Sequence, residues 1–163
     1  MESLSDKHDR LSQLRPLAPA AVRSLAAAWD VRMVYESNSI EGNTLTLRET
    51  EIVLSKGVTV SGKPLKDHLE VVNLAKAWER VKELAQPGTT FAERDLLDLH
   101  RIVLTNVEDS FAGSYRTSAV RIAGASLVPP NPVKVPDLME RLFADLAEIA
   151  EPIARAARLH HGI

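Results

Sequence analysis

The feature that most limits what this chain can fold into is an apolar residue at every third or fourth position, a spacing that recurs along most of its length. Such a spacing places the apolar side chains on one side of an α-helix. In the longest stretch, Val22, Leu25, Trp29 and Met33 would line one face of a helix over 20–37. The same pattern, with Pro, Gly and capping residues at its breaks, predicts further helices over 47–55, 65–84, 91–104, 136–149 and 153–161. The predicted fold class is therefore mainly α.

Two capping boxes mark predicted helix starts. In this motif a Ser or Thr before the helix and a Glu three residues later bind each other's backbone N–H groups. Thr46 with Glu49 would start the second helix, and Thr90 with Glu93 would start the fourth. We expect both pairs to be hydrogen-bonded in the folded chain.

One stretch breaks the helical pattern. Between Gly113 and Pro132 the apolar spacing shortens to two residues, and Ala123-Gly124-Ala125-Ser126 separates two short apolar runs. Alternation on both sides of a Gly-containing turn predicts a small β-hairpin. Because a lone hairpin is marginally stable in water, we expect it to rest on the helices.

Composition excludes several classes of protein. The chain has 163 residues, 45% hydrophobic and 26% charged, with a net charge of -2, which is typical of a globular domain and not of a disordered chain. Zero cysteines exclude disulfides and Cys-ligated zinc, and agree with a reducing compartment. The near-neutral charge and the low count of aromatics, two Trp, two Tyr and three Phe, argue against nucleic acid as a partner. With no signal peptide and no membrane-spanning stretch in the sequence, we expect a cytoplasmic protein with no membrane partner.

Residue spacing alone shows no catalytic site. The five histidines include no pair four apart with a Glu between, and the adjacent His160 and His161 would point about 100° apart on a helix. For His8, His68 and His100 we expect structural roles. No Gly-rich loop that could cradle phosphates precedes a predicted helix. We therefore assign no catalytic residue and no metal ligand.

A polar segment ends the first predicted helix and includes Ser37, Glu41, Gly42 and Asn43. Ser37 and Glu41 are four residues apart, so on a helix they would present a hydroxyl and a carboxylate from one face. A carboxylate near a helix C-terminus is electrostatically disfavoured and favours a cationic partner. An arginine would suit it, since a guanidinium pairs with a carboxylate through two hydrogen bonds. A polar helix cap with no further role is the alternative interpretation.

The run Ser37-x-x-x-Glu41-Gly42-Asn43 resembles the inhibitory-helix motif of Fic-domain adenylyltransferases, in the class that carries this helix before the catalytic core. The family motif is Ser or Thr, three residues, Glu, then Gly or Asn. Other segments resemble the family in order and distance, and cover nearly the whole chain. These are Arg15-Pro16-Leu17, Thr44-Leu45-Thr46-Leu47, Gly62-Lys63-Pro64-Leu65-Lys66-Asp67-His68, Gly113-Ser114-Tyr115-Arg116-Thr117, and Val120-Arg121-Ile122-Ala123-Gly124 ahead of Val128-Pro129-Pro130.

The resemblance implies a Fic-like helical bundle in which the hairpin is the family's flap and the core is incomplete. Residues 1–88 would be the N-terminal region with the inhibitory helix, and residues 89–163 the N-terminal part of the Fic domain. Family members use Mg²⁺ and ATP to transfer AMP to a hydroxyl of a target protein. Their catalytic motif is H-P-F-x-(D/E)-G-N-G-R-x-x-(R/G). Glu41 would pair with its second arginine, which otherwise grips the γ-phosphate, and Ser37 would help to position the helix end.

The flap of the family lines the nucleotide site and pairs its backbone with a segment of the target protein. The positions that the resemblance assigns to this role are Ile122, Gly124, Ala125 and Ser126. A target protein is therefore the expected partner.

The chain departs from the family where the catalytic motif would begin, because His160-His161 are followed only by Gly162-Ile163. We expect this chain alone to be inactive and to bind neither ATP nor Mg²⁺ tightly, although a complete enzyme would need both. The missing helices would also leave apolar faces uncovered, so we expect weak stability or self-association. Those faces lie around Leu96, Val103, Leu142, Leu146 and Ile153.

Three functions follow as hypotheses. The leading one is the N-terminal portion of a Fic-type adenylyltransferase that carries the inhibitory Glu41. The alternative is a non-catalytic regulator that lends Glu41 in trans to a separate Fic core. The third is an unrelated helical interaction protein that shares only a polar helix end.

Overall fold

The structure, a computed structural model, describes residues 4–16, 18–124 and 126–163. Seven α-helices occur in these ranges. They are α1 (Leu4–Gln13), α2 (Pro19–Ile40), α3 (Leu47–Lys56), α4 (Leu65–Leu84), α5 (Glu93–Leu104), α6 (Val135–Glu148) and α7 (Pro152–Gly162), with a 3₁₀ turn at Pro132–Lys134. The six helices that the sequence predicts are thereby confirmed within a few residues at each end. No helix in the described ranges is both long and apolar enough to cross a membrane.

The helix α1 is an addition that the apolar spacing did not predict. Its ten residues contain only two leucines among polar and charged side chains, and none of them is buried. The N-terminal half of α2 is exposed as well, with Leu25 65% and Trp29 61% accessible. The packed body of the protein therefore begins at about Asp30.

Two apolar clusters hold the body together. The first joins α2, α3 and α4 and has Val34, Leu45, Val53 and Val71 at its centre, each less than 5% exposed. The second is built on α6, where Met139, Leu142 and Leu146 are buried against α5 and α7. Helices α4 and α5 pack on each other and join the two clusters.

The expectation that apolar faces of α5, α6 and α7 would lack a partner is wrong for α6. Leu142 and Leu146 are only 3% and 6% exposed, because α7 turns back at Pro152 and places Leu159 over them. Leu96 packs on the same cluster. Ile153, at 55% exposure, remains open to solvent.

The predicted start of the fourth helix is also wrong. The helix begins at Glu93, and the backbone N–H of Ala92 donates to Asp95 Oδ2 at 2.9 Å. Glu93 cannot serve Thr90 because its carboxylate accepts the hydroxyl of Tyr115 at 2.6 Å. The first capping box is confirmed, since Thr46 N–H donates to Glu49 Oε2 at 2.7 Å and Glu49 N–H donates to Thr46 Oγ1 at 3.3 Å.

The predicted β-hairpin is wrong as well, because no β-strand occurs in the described ranges and residues 118–124 and 126–131 lie in a loop. Ala125, at the centre of the predicted turn, lies outside the described residues. The side chains that would have faced a sheet are exposed, with Ile122 at 53% and Val128 at 81%. Two short arms without a third strand or a covering helix gain too little from pairing to form a ladder.

Candidate functional site

The polar segment singled out in the sequence lies at the C-terminal end of α2, where the chain reverses sharply. Gly42 has φ +88, and its N–H donates to Ser39 O at 3.1 Å while the N–H of Asn43 donates to Asn38 O at 3.0 Å. These two bonds make a Schellman cap, which requires a left-handed residue just after the helix. Glycine adopts that conformation without a steric penalty. The cap therefore fixes where Glu41, the preceding residue, leaves the helix.

Glu41 and Ser37 differ in their surroundings. Glu41 is exposed, and its carboxylate has no hydrogen bond or ion pair with any described residue. Ser37 is half-buried, and its hydroxyl donates to Met33 Sδ at 3.6 Å, within the same helix. This hydrogen bond does not involve Glu41. The site thus offers one free carboxylate at a rigid helix end, where the helix dipole makes a cationic partner favourable.

The backbone after Glu41 is tied to the first turn of α4. Asn43 Nδ2 donates to Asp67 O at 3.0 Å and to Glu70 Oε2 at 2.9 Å. Asp67 Oδ2 accepts the hydroxyl of Thr44 at 2.6 Å and its backbone N–H at 2.8 Å. Lys63 adds a hydrogen bond to the carbonyl of Thr44. These contacts, which we call the α4 clamp, hold the segment that follows the end of α2.

The α4 clamp favours the ionised form of Asp67. Burial to 7% exposure would raise the pKa of Asp67, but the two hydrogen bonds from Thr44, with the nearby His68 and Lys63, outweigh burial and leave its pKa below the usual value. Hydrogen bonds to a carboxylate favour its charged form. Asp67 also lies in the first turn of α4, where the helix dipole favours a negative charge.

A second polar contact fixes α2 on α4 further from Glu41. Asp30 accepts the indole N–H of Trp78 at 2.6 Å and the ammonium of Lys82 at 2.9 Å. Asp30 precedes Glu41 by eleven residues, about 16 Å along a helix. Local residue spacing does not predict this pairing, because the partners of Asp30 are 48 and 52 positions away. Asp67 could have been suspected only from its place in a predicted first turn.

The predicted flap lies elsewhere, between α5 and α6, and its base is built from three residues of the Gly113-Ser114-Tyr115-Arg116 run. A Cβ on Gly113 would come within 2.8 Å of Arg101 Cβ, and its φ is +73, so only glycine lets the chain pass this close to α5. The Tyr115 hydroxyl donates to Glu93, and burial together with this bond raises the pKa of Tyr115 above its usual value. Arg116 then reaches across the loop, with Nη1 3.1 Å from Ser118 O and Nη2 bound to Pro130 O.

The described flap residues Ile122, Gly124 and Ser126 are exposed, and Ala125 lies outside the described residues. No hydrogen bond or ion pair between described residues joins this loop to the segment of Ser37 to Asn43. Among the described residues, the capped end of α2, which carries Glu41, and the loop between α5 and α6 are therefore two separate elements that are not in contact.

Metal ligation has no basis in the described residues, where no three His, Asp or Glu side chains converge. The structural role expected for His68 is confirmed. Its Nε2 accepts the N–H of Val60 at 2.8 Å and its Nδ1 lies 2.8 Å from Pro64 O, which satisfies both ring nitrogens. In the part of the chain that the structure describes, the side chains do not assemble the oxygen-rich ligand set that Mg²⁺ prefers.

The described residues form a helical domain. Residues 90–163 match the family described as Fic/DOC. The protein adenylyltransferase Fic of Drosophila grimshawi is 32% identical over 163 residues, which are 98% of this chain and 33% of that protein. The protein of the same description from Culex quinquefasciatus is 31% identical over 165 residues, 98% of this chain and 32% of that protein.

Solved structures agree. Fic-1 from C. elegans is similar with a TM-score of 0.77 and 28% identity, over 97% of this chain and 47% of that one. A Fic domain containing signaling protein from Bacteroides thetaiotaomicron has a TM-score of 0.81 and 27% identity, over 92% and 59% of the two chains. Residues 90–163 therefore match the Fic/DOC family, and nearly the whole chain is similar to Fic proteins. It spans about a third of the length of the curated relatives that it matches.

Proposed function

We propose that residues 1–163 form the regulatory, N-terminal portion of a Fic-type protein adenylyltransferase, and that Glu41 is the group that restrains AMP transfer. The observation that carries this proposal is the position of Glu41: exposed, without a partner among the described residues, and placed by a Schellman cap and the α4 clamp. A carboxylate so placed is ready to form a bidentate pair with an arginine.

The restraint would act by occupying that arginine. In the family the arginine belongs to the catalytic motif and binds the γ-phosphate of ATP, so a pair with Glu41 would misplace the phosphates. ATP and Mg²⁺ supply the AMP group and its charge compensation in a complete enzyme. Since residues 1–163 contain no H-P-F-x-(D/E)-G-N-G-R run, AMP transfer requires that motif from outside these residues.

The flap would bind a segment of the target protein. Residues 119–124 and 126–128 have exposed side chains and no backbone ladder, so their N–H and C=O groups are free to pair with an extended segment of a target. In this proposal Ile122, Gly124, Ala125 and Ser126 contact the nucleotide and the target, and Ser37 supports the end of α2.

The test is AMP transfer by a chimera in which a Fic catalytic segment with the H-P-F motif follows Ile163, compared with the same segment added as a separate polypeptide. Glu41→Gly should raise incorporation of label from [α-³²P]ATP at least tenfold, since a hydrogen bond to a charged group contributes about 1.5–3 kcal/mol and 1.4 kcal/mol is about tenfold. Release in the chimera supports action within one chain, and release in the mixture supports action in trans.

Glu36→Gln is the matched control for the test variant Glu41→Gln. Both remove one carboxylate charge from α2, but Glu36 is paired with Arg32 at 2.7 Å. Only the Glu41 variant should activate. Equal labelling by the Glu41 variants and the unmodified chimera would refute the inhibitory role.

A further inference from the structure

The described residues of the loop between α5 and α6 form no β-strands, so strand pairing does not hold the two ends of this loop together. Among the described residues of this loop, one side chain bridges the two ends. The guanidinium of Arg116 donates to the carbonyl of Ser118 at 3.1 Å and to the carbonyl of Pro130, 14 residues further along the chain. Arg116 is half-buried, whereas Ser118 and Pro130 are exposed.

The backbone on each side of this bridge is anchored to a helix. Before it, Gly113 lies against Arg101 of α5 and Tyr115 is bonded to Glu93 of the same helix. After it, Asn131 Oδ1 accepts the N–H of Val133 at 3.0 Å and starts the 3₁₀ turn that leads into α6. Arg116 therefore connects two fixed points, and the loop between them has a closed base.

An arginine suits this position better than any other residue. The planar guanidinium has five N–H donors in a rigid fork and can serve two carbonyls at once. A lysine carries its donors on a single nitrogen and lacks the fork. The two acceptors are main-chain carbonyls, so the bridge depends on the residue at 116 and hardly on those at 118 and 130.

We propose that Arg116 is a positioning residue that closes the base of the flap and so presents residues 119–124 and 126–128 to a segment of the target protein. This inference rests on the proposed function of the flap. A loop held in its binding conformation loses less conformational freedom when it binds, and its free backbone groups suit pairing with an extended chain.

The closure can be measured on the full 163-residue chain with spin labels, because the chain has no cysteine of its own. Labels at Thr117→Cys and Val133→Cys, both exposed positions, lie on the two ends of the loop that the bridge joins. The distribution of label distances should be narrow in the parent chain and at least twice as broad after Arg116→Ala. Arg116→Lys should fall between the two.

The control is Arg94→Ala, which removes a guanidinium from the exposed face of α5 outside the flap. It should leave the distance distribution unchanged, and circular dichroism should show the same helix content in every variant. A distribution after Arg116→Ala as narrow as that of the parent chain would overturn the closure. If Arg116→Ala does not fold, Arg116→Lys carries the test alone.

The positioning role is tested in the Glu41→Gly chimera, with a pool of 12-residue threonine peptides as the acceptor. Arg116→Ala should raise the half-saturating peptide concentration at least fivefold and leave that of ATP unchanged. No change in peptide saturation would overturn the positioning role, even where the label distances broaden. Activation by Glu41→Gly reports separately on the proposed function, so the failure of one can be told from the failure of the other.

Discussion

The α4 clamp predicts that Asp67→Asn destabilises the fold in a manner that depends on pH. Asp67 is 7% exposed, and its Oδ2 accepts two hydrogen bonds from Thr44, at 2.6 Å and 2.8 Å. Asparagine keeps an acceptor oxygen of the same size but removes the negative charge. The variant therefore isolates the contribution of charge to the clamp.

The magnitude follows from the two bonds. A hydrogen bond to a charged group contributes about 1.5–3 kcal/mol and a neutral one about 0.5–1.5 kcal/mol, so each bond should lose about 1 kcal/mol. For two bonds the unfolding free energy falls by about 2 kcal/mol. A domain of this size loses about 2–4 °C in Tm per kcal/mol, which gives a decrease of about 4–8 °C.

The pH dependence follows from the direction of the shift. The pKa of Asp67 is lower in the folded chain than its ordinary value, so its stabilising contribution is full above the ordinary pKa and is lost as the pH falls through the folded value. The difference in stability between the parent chain and Asp67→Asn should therefore be largest at pH 7 and should become smaller as the pH falls below about 4.

Thermal unfolding followed by circular dichroism at pH 7, 5 and 3 checks this expectation. Asp145→Asn is the control, because Asp145 pairs with Arg158 at 3.0 Å but its side chain is 60% exposed; such pairs contribute only about 0–1 kcal/mol. A Tm difference for Asp67→Asn that is absent at pH 7, or that is the same at pH 3, would refute the role assigned to its charge.

Substitutions of Gly113 and of Asp30 test the packing that positions the site. Gly113→Ala should lower the unfolding free energy by about 1–3 kcal/mol in urea titrations, and by more than Gly124→Ala, since both glycines have positive φ but only Gly113 faces a close neighbour; equal losses would contradict the close approach to α5. Asp30→Ala should cost about 1–3 kcal/mol, because it leaves the indole N–H of Trp78 without its acceptor and leaves Lys82 bonded to Glu79 alone, whereas Asp30→Asn should recover part of this by keeping the bond to Trp78. Chemical unfolding that shows no difference between the two Asp30 variants would contradict the contribution assigned to the bond with Trp78.

Much of the secondary structure could be predicted because helices depend on residues three and four apart. The stripe of Val22, Leu25 and Trp29 predicted α2, and the Thr46 box predicted the first residue of α3. The start of α5 could not be predicted in this way. Thr90 and Glu93 satisfy the local rule, but Tyr115, 22 residues further along, binds the carboxylate that the box requires.

The loop between α5 and α6 shows a second limit of local patterns. Alternating residues around Gly124 predict strands, yet a strand exists only where a neighbour supplies the other half of each hydrogen bond. In the described ranges that neighbour is absent, and Arg116 closes the loop instead. Sequence reasoning noticed Arg116 only as part of a run that resembles a family.

The sequence by itself determined the helical class, the family resemblance and the polar residues at the end of α2, because these depend on periodicity, residue type and short spacing. Only the tertiary structure decided which of those residues are restrained and which are free. Asn43 and Thr44 are held by α4, while the carboxylate of Glu41 has no partner among the described residues. Contacts between residues more than 20 positions apart make that distinction. These contacts arise when the helices pack together, and no local sequence pattern specifies that packing.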